Sequence, residues 1–102
     1  YFINQNNELL VNEIAPRVHN SGHLTINAFN VSQFEGHVRA VCDLEIIVPG
    51  NISNSAKMIN ILGKEIEVYR LKTFSKNEFF FDYGKKEIKE KRKMGHLTIL
   101  KK

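Results

Sequence analysis

The sequence predicts an α+β protein, and three observations support that prediction. Two apolar segments separated by an asparagine-rich turn open the chain, at Tyr1–Ile3 and Glu8–Ile14. A helix-capping pattern begins at Ser32, and short apolar runs alternate with glycines after residue 50. The 102 residues are 42% hydrophobic and 25% charged. This composition indicates one small globular unit and excludes disordered and collagen-like classes.

The first predicted element is a β-hairpin. Tyr1–Ile3 has the character of the end of a strand, so we expect the sequence to start inside a protein, in the middle of a strand. A turn is predicted at residues 4–7 because this segment is rich in asparagine, which tolerates left-handed backbone. Glu8–Ile14 carries apolar residues on both faces, which predicts a largely buried second strand. Glu13 then requires an explanation, because a buried carboxylate is costly unless it is paired or binds a metal.

A polar loop follows the hairpin over Ala15–His23. It contains an arginine, two histidines and an asparagine, and loops at strand ends are where functional groups concentrate. His19 and His23 are four residues apart, a spacing that suits zinc on a helix. The residues between them are typical of a loop, so zinc binding is disfavoured.

The next predicted element is a helix with a clear start. Ser32 caps it and Glu35 reaches back to complete a capping box. Residues 49–51 (Pro-Gly-Asn) end this unit. The single cysteine is predicted to be a small buried hydrophobe. One cysteine cannot form a disulfide within the chain, which fits a reducing compartment. Four residues at helical spacing form the predicted apolar face: Phe34, Val38, Val41 and Cys42.

Short strands are predicted to fill the second half. Together they indicate a small antiparallel β-sheet or half-barrel, with a domain boundary near residue 50. Phe79–Phe81 is expected to place aromatic rings in the core on one face, in preference to stacking on nucleic-acid bases. Glycines separate the candidate strands at Gly63, Gly84 and Gly95. The candidate strands are Met58–Leu62, Ile66–Leu71, Glu78–Tyr83 and His96–Leu100.

The charge is distributed unevenly. The net charge is +4, but by count the first 51 residues carry 2 basic and 5 acidic groups, and the last 51 carry 13 and 6. A basic half indicates an anionic partner or, alternatively, only a solvated surface loop. No apolar run approaches the roughly 18 residues of a membrane helix, so no membrane partner is expected.

Several motifs resemble one known family. They are similar to the ATP-grasp enzymes of purine synthesis, over Tyr1 to about Leu100, with residues 64–78 the least matched. The resemblance implies the C-terminal end of an ATP-grasp domain at residues 1–50 and a small C-terminal β domain at 51–102. The segments that carry it are Asn12–His23, Ser32–Glu35, His37–Val41, Tyr83–Lys85 and Arg92–Leu97.

The resemblance implies an ATP-dependent carbon–nitrogen ligase. The expected reaction carboxylates 5-aminoimidazole ribonucleotide with bicarbonate through carboxyphosphate, using ATP and Mg²⁺, in a cytoplasmic and homodimeric parent enzyme. The chain by itself is expected to be inactive, because the family's ATP-binding lobe precedes Tyr1. Three alternatives stay open: an enzyme like formate-dependent glycinamide ribonucleotide transformylase, a noncatalytic nucleic-acid-binding module, and a noncatalytic assembly domain.

The loop motif also implies roles for individual residues. Glu13 resembles the family's magnesium ligand, and Asn12 would lie beside it in the ATP site. A carboxylate at a strand end suits Mg²⁺, which takes one or two carboxylates together with nucleotide phosphates. Arg17 and His19 match catalytic residues that stabilise carboxyphosphate and assist proton transfer.

The remaining predicted site residues would contact the ribonucleotide. Lys85, Arg92 and Lys93 match basic residues that hold the phosphate of the substrate, as cations do with oxyanions. Asn20 and Ser21 are expected to shape the loop and to contact the substrate.

Overall fold

The computed structural model describes residues 1–101 and confirms the mixed α+β class. Both sheets are antiparallel, one with two strands and one with three. None of the helices in this part of the chain has the length and apolar character needed to cross a bilayer. The elements are β1 (Phe2–Ile3), β2 (Leu9–Leu10), α1 (Thr25–Ala28), α2 (Gln33–Val41), β3 (Ser55–Leu62), α3 (Glu65–Arg70), β4 (Glu78–Asp82) and β5 (Lys93–Lys101).

The three-stranded sheet confirms the predicted β-unit of the second half. Its order is β3-β5-β4, and Leu97 in the central strand pairs with Ile59 on one side and Phe80 on the other. Directly opposite residues in antiparallel strands share a face of the sheet. These apolar side chains therefore form one face of the sheet, with the predicted core role of Phe80 confirmed. The fully buried residues of this core are Ile61, Ile66, Met94 and Leu97.

One predicted strand is wrong. Ile66–Leu71 was expected in the sheet, but α3 occupies Glu65–Arg70. The Glu65 carboxylate accepts a hydrogen bond from the amide of Leu62 at 3.0 Å, which pins the helix start to the end of β3. Of the six helix residues only Ile66 is buried. Helix α3 therefore contributes one fully buried side chain to the core, and it does not need the alternating apolar pattern of a strand.

The glycines act differently from one another. Gly63 and Gly84 have φ values of 48° and 66° and lie at bends between elements, as predicted. Gly95 lies inside β5 and separates no strands, which corrects the prediction. A Cβ there would lie 2.5 Å from the carbonyl oxygen of Phe81. Gly95 therefore permits close approach of β4 to β5.

The hairpin forms, but not as a buried element. Strand β2 covers only Leu9–Leu10, and both residues are exposed. The turn is as predicted, since the Asn4 side-chain oxygen accepts from the amides of Asn6 and Glu8, each at 2.9 Å. The predicted burial of Glu8–Ile14 is wrong for the described residues, because a two-residue ladder with one partner leaves both faces open.

Helix α2 begins at the predicted cap. The amide of Glu35 donates to the Ser32 hydroxyl at 3.1 Å. The Glu35 carboxylate does not complete the box, because it forms an ion pair with Arg39 at 2.8 Å. The helix exposes Val38 and Val41, and Cys42 is exposed too. The predicted burial of this face is therefore wrong for residues 1–101, whereas the helix itself is confirmed.

Candidate functional site

A cleft of about 930 Å³ opens between the loop after the hairpin and the ends of β4 and β5. Polar and basic side chains form its rim, contributed by Arg17, Asn20, Lys85 and Lys93. Rings form its floor, contributed by His23, Phe34, Phe81, Tyr83 and His96. The cleft therefore brings together residues that are more than sixty positions apart in the sequence.

The side chain of Gln33 holds the loop in place. Its oxygen accepts from the backbone amide of His19 at 2.9 Å, and its nitrogen donates to the carbonyl of His19 at 2.7 Å. The same nitrogen lies 2.6 Å from Nδ1 of His23. Since an amide nitrogen can only donate, His23 accepts at Nδ1 and carries its proton on Nε2. A Cβ at Gly22 would collide with this amide group, so glycine lets the Gln33 side chain keep this position.

The floor of the cleft is aromatic and largely uncharged. The ring of His96, only 1% exposed, stacks on Phe81 with centroids 5.5 Å apart and lies 5.7 Å from the ring of His23. Burial lowers the pKa of His96, and the charge of His23 lowers it further. Burial likewise lowers the pKa of His23, aided by His19 and Lys93. Both rings are therefore neutral near pH 7, which suits contact with a flat, uncharged ring.

Two lysines form the basic rim. Lys93 donates to the side-chain oxygen of Asn20 at 3.0 Å, and Lys85 donates to the carbonyl of Lys93 at 2.7 Å. The ammonium of Lys85 also lies 5.3 Å from the centroid of the Tyr83 ring, within cation–π range. Neither lysine has an acidic partner among the recorded ion pairs of residues 1–101. The rim can therefore receive an anion such as a phosphate.

Arg92 lies away from this rim. Its guanidinium donates to the carbonyl of Glu87 at 3.1 Å and lies 3.6 Å from the carboxylate of the same residue. Arg92 does not line the cleft in the described part of the chain. It holds the basic loop in shape here, and its phosphate-binding role stays a prediction.

A second, smaller cavity of about 230 Å³ holds the predicted metal side of the site. Its lining includes Asn12, Glu13, His19 and Ser21. The backbone amide of Ser21 donates to Nδ1 of His19 at 3.3 Å, so the proton of the neutral ring is on Nε2. That atom lies 3.4 Å from the Glu13 carboxylate.

The donor set of this cavity fits part of a magnesium site. One carboxylate and one amide oxygen, from Glu13 and Asn12, are hard oxygen ligands of the kind Mg²⁺ prefers, and nucleotide phosphates ordinarily complete the shell. Within residues 1–101 no group of three His, Cys, Asp or Glu side chains could hold a metal by itself. The zinc alternative at His19 and His23 therefore gains no support.

The sequence-predicted residues thus fall into two neighbouring groups with Arg92 apart. Arg17, Asn20, Lys85 and Lys93 share the large cleft, and Asn12, Glu13, His19 and Ser21 share the small cavity. Sequence reasoning assigned no site role to Gln33, Tyr83 or His96. The available signal was that all three lie in the motif segments Ser32–Glu35, Tyr83–Lys85 and Arg92–Leu97.

Comparison with known families finds a match for two segments of the chain. Residues 1–34 match the ATP-grasp domain model. Residues 56–102 match the model of the phosphoribosylaminoimidazole carboxylase C-terminal domain. These two matches indicate the class of ATP-grasp proteins.

Individual relatives narrow the class. The chain is 45% identical to the N5-carboxyaminoimidazole ribonucleotide synthase of Bacillus subtilis (strain 168), covering 98% of this chain and 26% of that protein. It is similar to N5-carboxyaminoimidazole ribonucleotide synthases over nearly its whole length, and it spans about a quarter of the length of the relatives it matches.

Two solved structures are similar to this chain in fold. The Staphylococcus aureus N5-carboxyaminoimidazole synthetase complexed with ADP matches with a TM-score of 0.87 and 42% identity, over 97% of this chain and 27% of that one. The Aspergillus clavatus synthase in complex with ADP and 5-aminoimidazole ribonucleotide matches with a TM-score of 0.81 and 32% identity, over 97% and 28%. The fold of this chain is therefore that of the corresponding region in these synthases.

Proposed function

We propose that this chain forms the carboxy-terminal part of an ATP-dependent ligase. The enzyme would carboxylate 5-aminoimidazole ribonucleotide with bicarbonate through carboxyphosphate, giving the N5-carboxyamino product, ADP and phosphate. The observation that carries the proposal is the match of 98% of the chain to an N5-carboxyaminoimidazole ribonucleotide synthase. The relative solved with ADP and 5-aminoimidazole ribonucleotide supports the same substrate class.

The large cleft suits the ribonucleotide. A phosphate placed between Lys85 and Lys93 would receive two ammonium charges, and neither lysine has an acidic partner among the recorded ion pairs of the described chain. The aminoimidazole ring would then lie over the neutral floor around His96 and Phe81, where flat rings stack favourably. The amine of the substrate would face the loop that carries Arg17.

The loop and the small cavity suit the binding of ATP, Mg²⁺ and carboxyphosphate. Bound Mg²⁺ would supply charge neutralisation at the phosphate oxygens of ATP. Glu13 would hold it, with Asn12 beside it. Arg17 would stabilise the negative charge of carboxyphosphate through its fixed guanidinium fork, and His19 would hold a proton at Nε2, where the structure gives it the Glu13 carboxylate as partner.

The same family resemblance supports three further parts of the proposal. We infer a homodimeric parent, a cytoplasmic location, and inactivity of this chain without the rest of the ATP-grasp domain.

The test of the ribonucleotide site uses the complete enzyme that contains this chain. Lys93→Ala should raise KM for 5-aminoimidazole ribonucleotide by about tenfold or more, with a smaller effect on KM for ATP, because it removes one charged contact to the phosphate. Lys86→Ala is the matched control, since this exposed lysine of the segment between β4 and β5 lies outside the cleft. Equal effects on both substrates would contradict the phosphate role.

The test of the metal side is Glu13→Gln in the same enzyme. The amide keeps the size of the side chain and removes its charge, so ATP cleavage should be lost at ordinary magnesium concentrations. Glu8→Gln in the hairpin is the control, because Glu8 lies outside the small cavity. Near-normal ATPase activity in Glu13→Gln would refute the assignment.

A further inference from the structure

A chain of hydrogen bonds links the sheet to the loop across the cleft. Nδ1 of His96 lies 2.9 Å from the hydroxyl of Tyr83. That hydroxyl accepts from the side-chain nitrogen of Asn20 at 3.5 Å, and the side-chain oxygen of Asn20 accepts from the ammonium of Lys93 at 3.0 Å. Four side chains from two separate stretches of sequence therefore form one connected chain.

The chemistry of its last member fixes the direction of the first two bonds counted from Lys93. Lys93 can only donate, so Asn20 must present its oxygen to Lys93 and its NH₂ to Tyr83. The hydroxyl of Tyr83 accepts from Asn20, and among the recorded hydrogen bonds of the described residues its own proton has Nδ1 of His96 as its one acceptor. Nδ1 is therefore unprotonated, and the neutral ring carries its proton on Nε2.

The neighbouring strand supports the same tautomer independently. The side-chain oxygen of Asn60 and Nε2 of His96 are both buried without a hydrogen-bond partner among the described residues. Asn60 and His96 are directly paired in the β3–β5 register, so their side chains share one face. A proton on Nε2 gives these two buried atoms one donor and one acceptor, whereas a proton on Nδ1 would leave two buried acceptors on the same face without a donor.

We propose that Tyr83 and His96 are positioning residues that hold Asn20 and, through it, the ammonium group of Lys93. His96 is fixed in the sheet and nearly inaccessible, so it provides a rigid end to the chain. The side chain of Lys93 is long and exposed, and without such a hold its ammonium would sample many rotamers. This inference rests on the proposed role of Lys93 at the substrate phosphate.

The first experiment observes the tautomer directly. Nitrogen NMR of the complete enzyme, labelled with ¹⁵N at histidine and assigned with His23→Asn and His96→Asn, should show His96 neutral at pH 7.5 with its proton on Nε2. Tyr83→Phe should remove the hydrogen bond at Nδ1 and shift that nitrogen signal. A proton on Nδ1 in the unchanged enzyme would overturn the inference.

The second experiment measures the effect on substrate binding. Tyr83→Phe should raise KM for the ribonucleotide by about five- to tenfold, the loss expected for one hydrogen bond near a charged group, with kcat and KM for ATP nearly unchanged. Tyr69→Phe is the matched control, because this tyrosine packs on the core side of the sheet against Phe74 and Phe80. An unchanged ribonucleotide KM in Tyr83→Phe would overturn the inference.

A double-mutant cycle separates a connected chain from independent contacts. If Tyr83 acts through Asn20, then adding Tyr83→Phe to Asn20→Ala should change the ribonucleotide KM by less than twofold. Multiplying effects would show that Tyr83 acts independently and would contradict the chain. The proposed function fails separately, when Lys93→Ala leaves the ribonucleotide KM unchanged; the positioning role fails when Lys93→Ala raises it and Tyr83→Phe does not.

Discussion

The two halves of this chain differ in how they hold themselves together. The second half has its own core, in which Ile61, Ile66 and Met94 are fully buried between the sheet and α3. In the first half the apolar side chains of the hairpin and of α2 face solvent, with Ile14 89% exposed. What is buried there, chiefly Ala28 and Val31, lies in and just after the short helix that packs on β5.

This difference shows how the site is built. The sheet offers a rigid wall with His96 and Tyr83, and the loop that carries Arg17 and Asn20 is held by a few directed hydrogen bonds, largely through Gln33. Burial of apolar surface stabilises a domain far more than individual polar contacts do. The loop therefore depends on α2 and on the sheet for its position, whereas the sheet has an apolar core of its own.

The largest expected effect tests where the core lies. Ile61→Ala should lower the free energy of unfolding by about 2–5 kcal/mol, since it removes buried methyl groups and leaves a cavity. Ile14→Ala, the same change at an exposed site, should alter it by less than about 0.5 kcal/mol. Urea denaturation followed by circular dichroism measures both, and equal losses would show that the hairpin is packed as well as the sheet.

The next effect compares two glycines. Gly95→Ala should destabilise the protein by about 1–3 kcal/mol, because the added methyl group would press on the Phe81 carbonyl and separate β4 from β5. Gly36→Ala in α2 meets nothing within 4 Å and should stabilise the protein by about 0.5–1 kcal/mol through helix propensity. Thermal unfolding of the two variants gives the signs, and a stabilising Gly95→Ala would contradict the close packing of these strands.

The smallest effect concerns two residues with left-handed backbone. Lys91 has φ 62° and Asn7 has φ 61°, but asparagine tolerates this region and lysine does not. Lys91→Gly should therefore stabilise the protein by up to about 1 kcal/mol, whereas Asn7→Gly should change little. Chemical denaturation at fixed pH measures the difference, and a loss of stability in Lys91→Gly would show that the lysine side chain contributes more than its backbone costs.

Local patterns predicted much of this molecule well. The hairpin turn, the cap at Ser32 and three of the four strands of the second half follow from residue types acting over a few positions. The strand predicted at Ile66–Leu71 failed because a short apolar run fits either a strand or a helix that buries a single residue. The predicted burial in the hairpin and at Cys42 failed because periodicity identifies an apolar face without showing what covers it.

The candidate site likewise has a part that the sequence predicted and a part that it did not. Motif resemblance singled out Asn12, Glu13, Arg17, His19 and Lys93 before any geometry was known. It could not show that Arg92 is held by Glu87, or that Gln33 pins the loop, since both depend on contacts formed only in the folded chain. A side chain acquires such partners from the relative placement of whole elements, and spacing in the sequence does not encode that placement.

By itself the sequence determined the class, the turns, the helix cap and the chemically useful residues, because each rests on local backbone preference or on a motif. Only the tertiary structure decided which of those residues meet. The β3–β5 register places Asn60 beside His96, and the packing of the loop on the sheet brings Asn20 within reach of both Tyr83 and Lys93. Hydrogen bonds need their donor and acceptor atoms within about 3.5 Å of each other, and that proximity arises here from long-range packing between segments more than sixty residues apart.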